Sequence, residues 1–392
     1  MANFQLEQYL SDSMAGLVKS VFLATRQNPK ASAFFAKYAF ASKKAERIRS
    51  DLLKNGEHIP LFLIASITSS CNLLCRGCYD RVRAYPKIIS EAPEKSGVEA
   101  SARIFPVPFR NLGYAPNTAR VCHNEMTLAD WRRIFCEAET AGVSAILLAG
   151  GEPLMRFDVV EEAAKHPAIL FPVFTNGTLF NEKHCALFES FRNLVPIISI
   201  EGDSNQTDDR RGKGVYEKTK EAMGALAKDG LLFGVSITVT NENLASVTDQ
   251  NFVGELKASG CRAIIFVEYV PIEESGLALD DSARLLLDER VGDLRKQEDM
   301  IIISFPGDEK ESGGCLAAGR GFFHINAAGG AEPCPFSPYS DTSLKSSSLR
   351  EALRSPLFTR LREDGYLSKE HSGGCVLFGQ EPEVKALAHQ TE

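Results

Sequence analysis

From Leu61 onward, short apolar runs alternate with amphipathic stretches of ten or so residues. The runs "LFLIAS", "SAILLA", "FPVF", "PIISI", "LFGVSITV" and "AIIFVEYV" are apolar at successive positions, which predicts strands buried on both faces. Between them, "TLADWRRIFCEAETAG", "VVEEAAKH", "EKHCALFESF", "VYEKTKEAMGALAKDG" and "NFVGELKASG" repeat their apolar residues at helical spacing. Strand followed by crossover helix, repeated along the chain, predicts an α/β fold. The expected form is a partial (β/α)6 TIM-like barrel, whose ligands bind at the C-terminal ends of the strands.

The flanks differ. Residues 1–58 hold no strand pattern, and "LEQYLSDSMAGLVKSVFLATR" and "PKASAFFAKYAFASKKAERIRSDLLKNG" predict an N-terminal helical segment. The second helix sets Phe34, Phe35, Tyr38 and Phe40 beside Lys37, Lys43, Lys44 and Arg47. That pattern also suits a membrane surface, but the expectation here is an aromatic face packed on the barrel. A Pro- and charge-rich insertion over 79–125, ending near Cys122 and His123, has the length of a lid. The barrel is expected over 59–275. A small α+β unit is expected over 276–392, with a helix from Asp281 to Lys296, then "MIIISFPGD", short strands in "FFHIN" and "GAEPCPF", and a helix in "SLREALRSPLFTRLRED".

A net charge of -7 argues against a nucleic-acid partner, because phosphate binding needs a cationic face. No apolar run reaches eighteen residues and no signal-peptide pattern opens the chain, which predicts a soluble cytoplasmic protein. In a reducing compartment, ten cysteines point to metal or catalysis before disulfides. Cys136, Cys185 and Cys261 lie alone in apolar surroundings and read as small buried hydrophobes.

The stretch "CNLLCRGCYD" places Cys71, Cys75 and Cys78 on one loop after the first strand. Three thiolates at this spacing suit an iron-sulfur cluster, whereas a structural zinc site wants four closed ligands. On a four-iron cubane, three ligands leave one iron open. At the second strand's end, "GGEP" lets the backbone of Gly150 and Gly151 approach a ligand, with the Glu152 carboxylate available to an ammonium group. Thr175, Asn176 and Gly177 end the third strand, and Ser199 and Glu201 share one side of the fourth. Glu268, ending the sixth, reads as a rim ion pair.

Together these residues resemble the radical S-adenosylmethionine (radical SAM) superfamily. The resemblance implies that Cys71, Cys75 and Cys78 hold a catalytic 4Fe-4S cluster whose open iron chelates S-adenosylmethionine. It implies a cofactor-binding set of Tyr79, Gly150, Gly151, Glu152, Pro153, Thr175, Asn176, Ser199, Glu201 and Arg211. In the family the "GGEP" segment holds the methionine amino group, and an arginine of "DDRRGKGVYEKT", Arg211 or else Arg210, pairs with its carboxylate. One departure is visible: the residue before the third cysteine is often aromatic in the family and here is Gly77, so that Tyr79 is left as the adenine-stacking ring.

Cys315, thirteen residues, Gly329, four residues and Cys334 resemble the opening of SPASM and twitch domains, with Cys375 as a further ligand. The dense cysteine block of a full SPASM domain is absent, so the resemblance implies one auxiliary 4Fe-4S cluster in a shortened, twitch-like unit. Its fourth place is open to substrate, His371, Cys122 or a carboxylate; alternatively the three cysteines are remnants of a lost site.

The expectation is a radical SAM oxidoreductase or lyase that abstracts hydrogen from a small-molecule substrate and draws electrons from a flavodoxin or ferredoxin. Three alternatives stand beside it: a peptide- or protein-modifying maturase, an iron-sulfur electron-transfer scaffold without cofactor cleavage, and a structural zinc protein.

Overall fold

The computed structural model describes residues 28–80, 124–272, 275–306, 313–369 and 375–389. The first expected helix, almost all of the insertion with Cys122 and His123, and His371 lie outside the described residues. Helix α1 (Pro29–Lys54) starts at Asn28, whose side chain accepts from Ala31 N, with Pro29 in the first turn where a missing N–H costs nothing. It lies over the N-terminal ends of the strands. Phe35 and Tyr38 are buried there with Leu61, Ala145, Leu170, Val195 and Ile197, and the Tyr38 hydroxyl donates to Ser144 O at 2.7 Å. The aromatic face therefore packs as expected, except that Phe40 is 78% exposed.

Strand β1 (Phe62–Thr68) leads through α2 (Leu128–Ala141) to β2 (Ala145–Gly150), and α3 (Phe157–Ala164) leads to β3 (Phe171–Thr175). Then follow α4 (Glu182–Ser190), β4 (Leu194–Ser199), α5 (Ser204–Arg211), α6 (Val215–Lys228), β5 (Gly234–Val239), α7 (Leu244–Val247), α8 (Gln250–Ala258) and β6 (Ala263–Glu268). The six strands are parallel, each beside its neighbour in sequence. Helix α5 has no apolar stripe to betray it. Only Thr207 of its residues is buried, and a capping box between Asp203 and Gln206 starts it.

After α9 (Asp281–Gln297) comes β7 (Ile301–Phe305), which pairs in parallel with β6. "MIIISFPGD", expected to open the C-terminal unit, thus extends the barrel sheet by a seventh strand. On the opposite edge, β8 (His324–Ile325) runs parallel to β1 and turns back into β9 (Ala331–Glu332). The sheet curls far enough for one ring to touch both sides of the gap: Phe322 lies 5.1 Å from Phe62 of β1 and 5.8 Å from Phe305 of β7, between ring centres. The single helix expected in "SLREALRSPLFTRLRED" is two, α10 (Leu349–Leu353) and α11 (Pro356–Glu363). Pro356 cannot continue the first, and the Ser355 side chain caps the second. Helix α12 (Glu381–His389) follows. Among the described residues no helix is long and apolar enough to cross a membrane.

Of the three cysteines read as small core residues, Cys261 is buried, Cys185 is half-buried and Cys136 is exposed. Cys136 sits on α2 among Trp131, Ile134, Phe135 and Ala138, but it falls outside the buried stripe those residues form.

Candidate functional site

The loop carrying Cys71, Cys75 and Cys78 leaves the C-terminal end of β1 and is tied to one strand end after another. Gly151 N donates to Thr68 O and Glu152 N to Ser70 O, both at 2.8 Å. This places the "GGE" segment directly against the start of the cysteine loop. Only glycine fits there: a Cβ on Gly150 would stand 2.1 Å from Thr68 O, and one on Gly151 2.2 Å from Ser70 O.

Further along the loop, Asn176 Nδ2 donates to Asn72 Oδ1 at 2.9 Å, and Asn72 Nδ2 donates to Thr178 Oγ1 at 2.8 Å. Arg76 N donates to Arg210 O at 2.8 Å, so that α5 braces the loop from its far side. Glu125 accepts from Ser69 N at 2.8 Å and from Thr68 Oγ1 at 2.9 Å. Asn72, Arg76 and Glu125 were not singled out from sequence. Only the position of Asn72 and Arg76 inside the cysteine motif hinted at them.

Glu152 is fully buried, and its carboxylate already accepts three donors. Thr175 Oγ1 and Leu154 N reach Oε1 at 2.7 and 3.0 Å, and Asn176 N reaches Oε2 at 2.8 Å. Burial raises its pKa, while those donors and the charge of Arg211 oppose the rise. Thr175 and Asn176 are thus joined to Glu152 across the ends of β2 and β3.

Glu201, 1% exposed, accepts from Arg211 Nε at 2.7 Å, Arg210 Nη1 at 2.5 Å and Thr238 N at 3.0 Å. Burial works against the Arg211 charge, but Glu201 and the thiols of Cys75 and Cys78 outweigh it and raise the guanidinium's pKa. A buried cation therefore stands behind two of the three thiols. Arg210 Nε is buried without a partner among the described residues. Ser199 bonds Ser236 at 3.1 Å between hydroxyl oxygens. Glu268 takes the ion pair expected of it, to Arg284 at 2.5 Å, although it is 6% exposed and so lies inside the rim.

Gly77 has φ +64°, and the Tyr269 ring stands 2.6 Å from where its Cβ would be. A ring from the end of β6 thus fills the room that a side chain before the third cysteine would take. Tyr79 instead meets Phe336 edge to face, with ring centres 5.6 Å apart.

The donor set suits an iron-sulfur cluster. None of the three thiols is in a disulfide, Leu73 N donates to Cys71 Sγ at 3.4 Å, and a guanidinium offsets thiolate charge. In the bare protein the Cys71 thiol is pushed up to about 12 by burial, with Cys75, Glu152 and Cys78 adding to the rise. Among the described residues no three His, Cys, Asp or Glu side chains close on a single metal-ion position.

The C-terminal cysteines come together as a second set. Cys334 is fully buried, and burial, the thiol of Cys375 and then Cys315 raise its pKa well above the ordinary value. Phe336 N–H donates to its sulfur. Phe336 is also the ring that meets Tyr79, so one aromatic contact joins the flanks of the two thiol sets.

Beneath the cysteine loop lies a buried chain unforeseen from sequence. Ser66 Oγ and His324 Nε2 are 2.7 Å apart, and His324 Nδ1 is 2.7 Å from Glu332 Oε2. Asn326 Nδ2 donates to Glu332 Oε1 at 2.7 Å. It joins β1 to the β8–β9 hairpin. A cavity of about 520 Å³ lies between α4 and α6, lined by Gly177, Thr178, Phe180, Cys185, Lys218 and Asp229 among others; it reaches the end of β3 but includes no residue of either thiol set.

The family model of the Radical SAM superfamily matches residues 65–249. An AdoMet-dependent heme synthase of Methanosarcina barkeri is 25% identical over 288 residues, covering 66% of this chain and 81% of that protein. Of the next two relatives the chain spans 45% and 32% of the length. The crystal structure of Streptococcus suis SuiB bound to S-adenosylmethionine superposes with a TM-score of 0.59 at 16% identity, over 82% of this chain and 69% of that one. Native anSMEcpe with bound AdoMet and Cp18Cys peptide superposes with a TM-score of 0.53 at 16% identity, over 84% and 99%. These structures share the fold.

Proposed function

Because the chain belongs to the radical SAM superfamily, we propose that its barrel mouth cleaves S-adenosylmethionine reductively and turns the product on a small-molecule substrate, as an oxidoreductase or lyase. The observation that carries this reading is the convergence of three cysteine thiols, the glycine-tight "GGE" segment and the buried Arg211 at the strand C-termini. A 4Fe-4S cluster and S-adenosylmethionine held there by these residues would supply the radical chemistry for hydrogen abstraction from substrate.

The protein's own contribution is to hold, orient and seal. Cys71, Cys75 and Cys78 are the cluster ligands. Thr68 O and Ser70 O hold the backbone of Gly151 and Glu152, and the Glu152 carboxylate holds Leu154 N; the polar groups of Gly150 to Pro153 take the methionine amino group, while Arg211, or Arg210 with its unpartnered Nε, takes the carboxylate. Thr175, Asn176, Ser199 and Glu201 frame the same mouth, and Tyr269 and Tyr79 are the rings beside the cysteine loop. The C-terminal unit caps the mouth and keeps water from the radical. It carries one auxiliary 4Fe-4S cluster on Cys315, Cys334 and Cys375. A flavodoxin or ferredoxin is the expected electron donor.

The small-molecule reading is supported by α1, a helix packed across the far end of the barrel where it presents no strand to a peptide. It is also supported by the heme synthase relative. The fold shared with peptide-bound anSMEcpe favours a peptide substrate as the second reading.

Anaerobically reconstituted protein, incubated with dithionite and S-adenosylmethionine, is expected to release 5'-deoxyadenosine. A sample with full iron content and no such product would leave an electron-transfer scaffold as the better account. Deuterium carried from a labelled small molecule, and not from labelled peptide, into 5'-deoxyadenosine would decide the substrate class.

A further inference from the structure

The C-terminal thiol set supplies three sulfurs and leaves a fourth place unassigned. Cys334 opens the tetrapeptide Cys-Pro-Phe-Ser, which is a tight turn: Ser337 N donates to Cys334 O at 3.0 Å, and the two residues pair as an isolated antiparallel bridge. Residues directly opposed in such a pair send their side chains to the same side, with Cβ atoms about 4.5–5.5 Å apart. Ser337 therefore faces the way Cys334 faces.

Within the turn, Phe336 N–H is bonded to the Cys334 sulfur. A thiolate at one corner, and a second ligand three residues on, is the arrangement by which C-x2-C pairs give two ligands to one centre. Here the second corner is a serine.

That serine is 2% exposed, and its Oγ is shielded from solvent with no hydrogen-bond partner, sulfur included, among the described residues. A buried hydroxyl left unsatisfied is costly because it has given up its water, so such a group calls for a partner that the bare protein does not supply. Cys122 and His371, the side chains considered for this place from sequence, lie outside the described residues.

We propose that Ser337 Oγ is the fourth ligand of the auxiliary iron-sulfur cluster, an inference that rests on the auxiliary-cluster reading above. Ligation is balanced without any redox partner. The Fe–Oγ bond forms as an iron-bound hydroxide leaves, taking the serine proton with it as water. The auxiliary cluster is then closed, with no iron for substrate to bind, and its work is to pass electrons across the Phe336–Tyr79 contact. An alkoxide, harder than a thiolate, also favours the more oxidised iron.

The test uses the full chain with Cys71, Cys75 and Cys78 all changed to Ala, so that the auxiliary site alone is observed. After anaerobic reconstitution with iron and sulfide this protein is expected to hold about four irons per chain. Adding Ser337→Ala is expected to make one iron of the four labile to mild oxidation, to give it a distinct Mössbauer doublet and to shift the reduced EPR spectrum. Adding Ser337→Cys instead is expected to keep all four irons and raise the midpoint potential, which guards against mistaking misfolding for ligand loss. If Ser337→Ala leaves the Mössbauer and EPR spectra and the oxidation-resistant iron count unchanged, the serine ligand is overturned while the cluster stands. If the parent takes up no iron, the auxiliary cluster itself is overturned, and the serine proposal with it.

Discussion

The two thiol sets solve the same problem in opposite ways. Cys71, Cys75 and Cys78 lie within eight residues, on a loop given its shape by contacts too close for any side chain at Gly150 and Gly151. Cys315, Cys334 and Cys375 are spread along the chain and meet only because the hairpin of β8 and β9 and the final residues fold against one another. The first set has a cation behind it in Arg211. The second is the drier: Cys315 and Cys334 are buried and Cys375 is half-buried, whereas in the first set only Cys71 is buried. A charged, loop-borne set suits the exchange of a cofactor, and a dry, fold-borne set suits the storage or passage of an electron.

The largest effect comes from removing one thiol from each set in turn. Cys75→Ala is expected to abolish 5'-deoxyadenosine formation and about halve the iron content of the reconstituted protein. Cys334→Ala is expected to remove a similar amount of iron while leaving dithionite-driven cofactor cleavage measurable. Cleavage lost equally in both variants would erase the division of labour.

Next in size is the joint between the two regions. Changing His324 to Ala takes one hydrogen bond from the Ser66 hydroxyl and one from the Glu332 carboxylate, which keeps that of Asn326; both groups are buried. Losing a partner from a buried hydrogen-bonded chain costs about 1–3 kcal/mol for each group left unsatisfied. The variant should unfold at lower denaturant and lose auxiliary iron before catalytic iron. A fall confined to the catalytic set would mean that the buried chain serves the barrel and not the joint.

A smaller effect is expected from Gly151→Ala, whose Cβ meets Ser70 O and forces the start of the cysteine loop to move. Overpacking typically costs about 1–3 kcal/mol. It should fall on the catalytic set alone, seen as weaker cofactor binding with auxiliary iron intact.

What could be read from the sequence follows the same division. The six strands carry uninterrupted apolar runs, and the thiol loop announces itself by spacing, so each was legible from residues near in sequence. Helix α5 escaped because its capping is polar and its single buried residue, Thr207, makes no stripe. Strand β7 was seen as a strand but not as a partner of β6, since pairing is decided across space. Tyr269 against Gly77, and His324 between Ser66 and Glu332, are contacts between distant segments. No local pattern encodes them.

The smallest effect concerns the cysteines that belong to neither set, and it tests whether the two sets have been bounded correctly. Cys136 is exposed on α2 and should be alkylated by iodoacetamide in the folded protein at neutral pH. Cys261 is buried, with its Sγ donating to Ala263 O at 3.2 Å, and burial pushes its thiol from the ordinary 9.0 up to about 12. The raised value means that folding favours the protonated thiol. Its contribution to stability is therefore complete below about pH 9 and is lost as pH climbs towards 12. Mass spectrometry across that range should find Cys261 unmodified at neutral pH and labelled only as the fold loosens, and Cys136 labelled throughout. Early labelling of Cys261 would mean that the sheet beneath the barrel mouth opens far more readily than its packing implies.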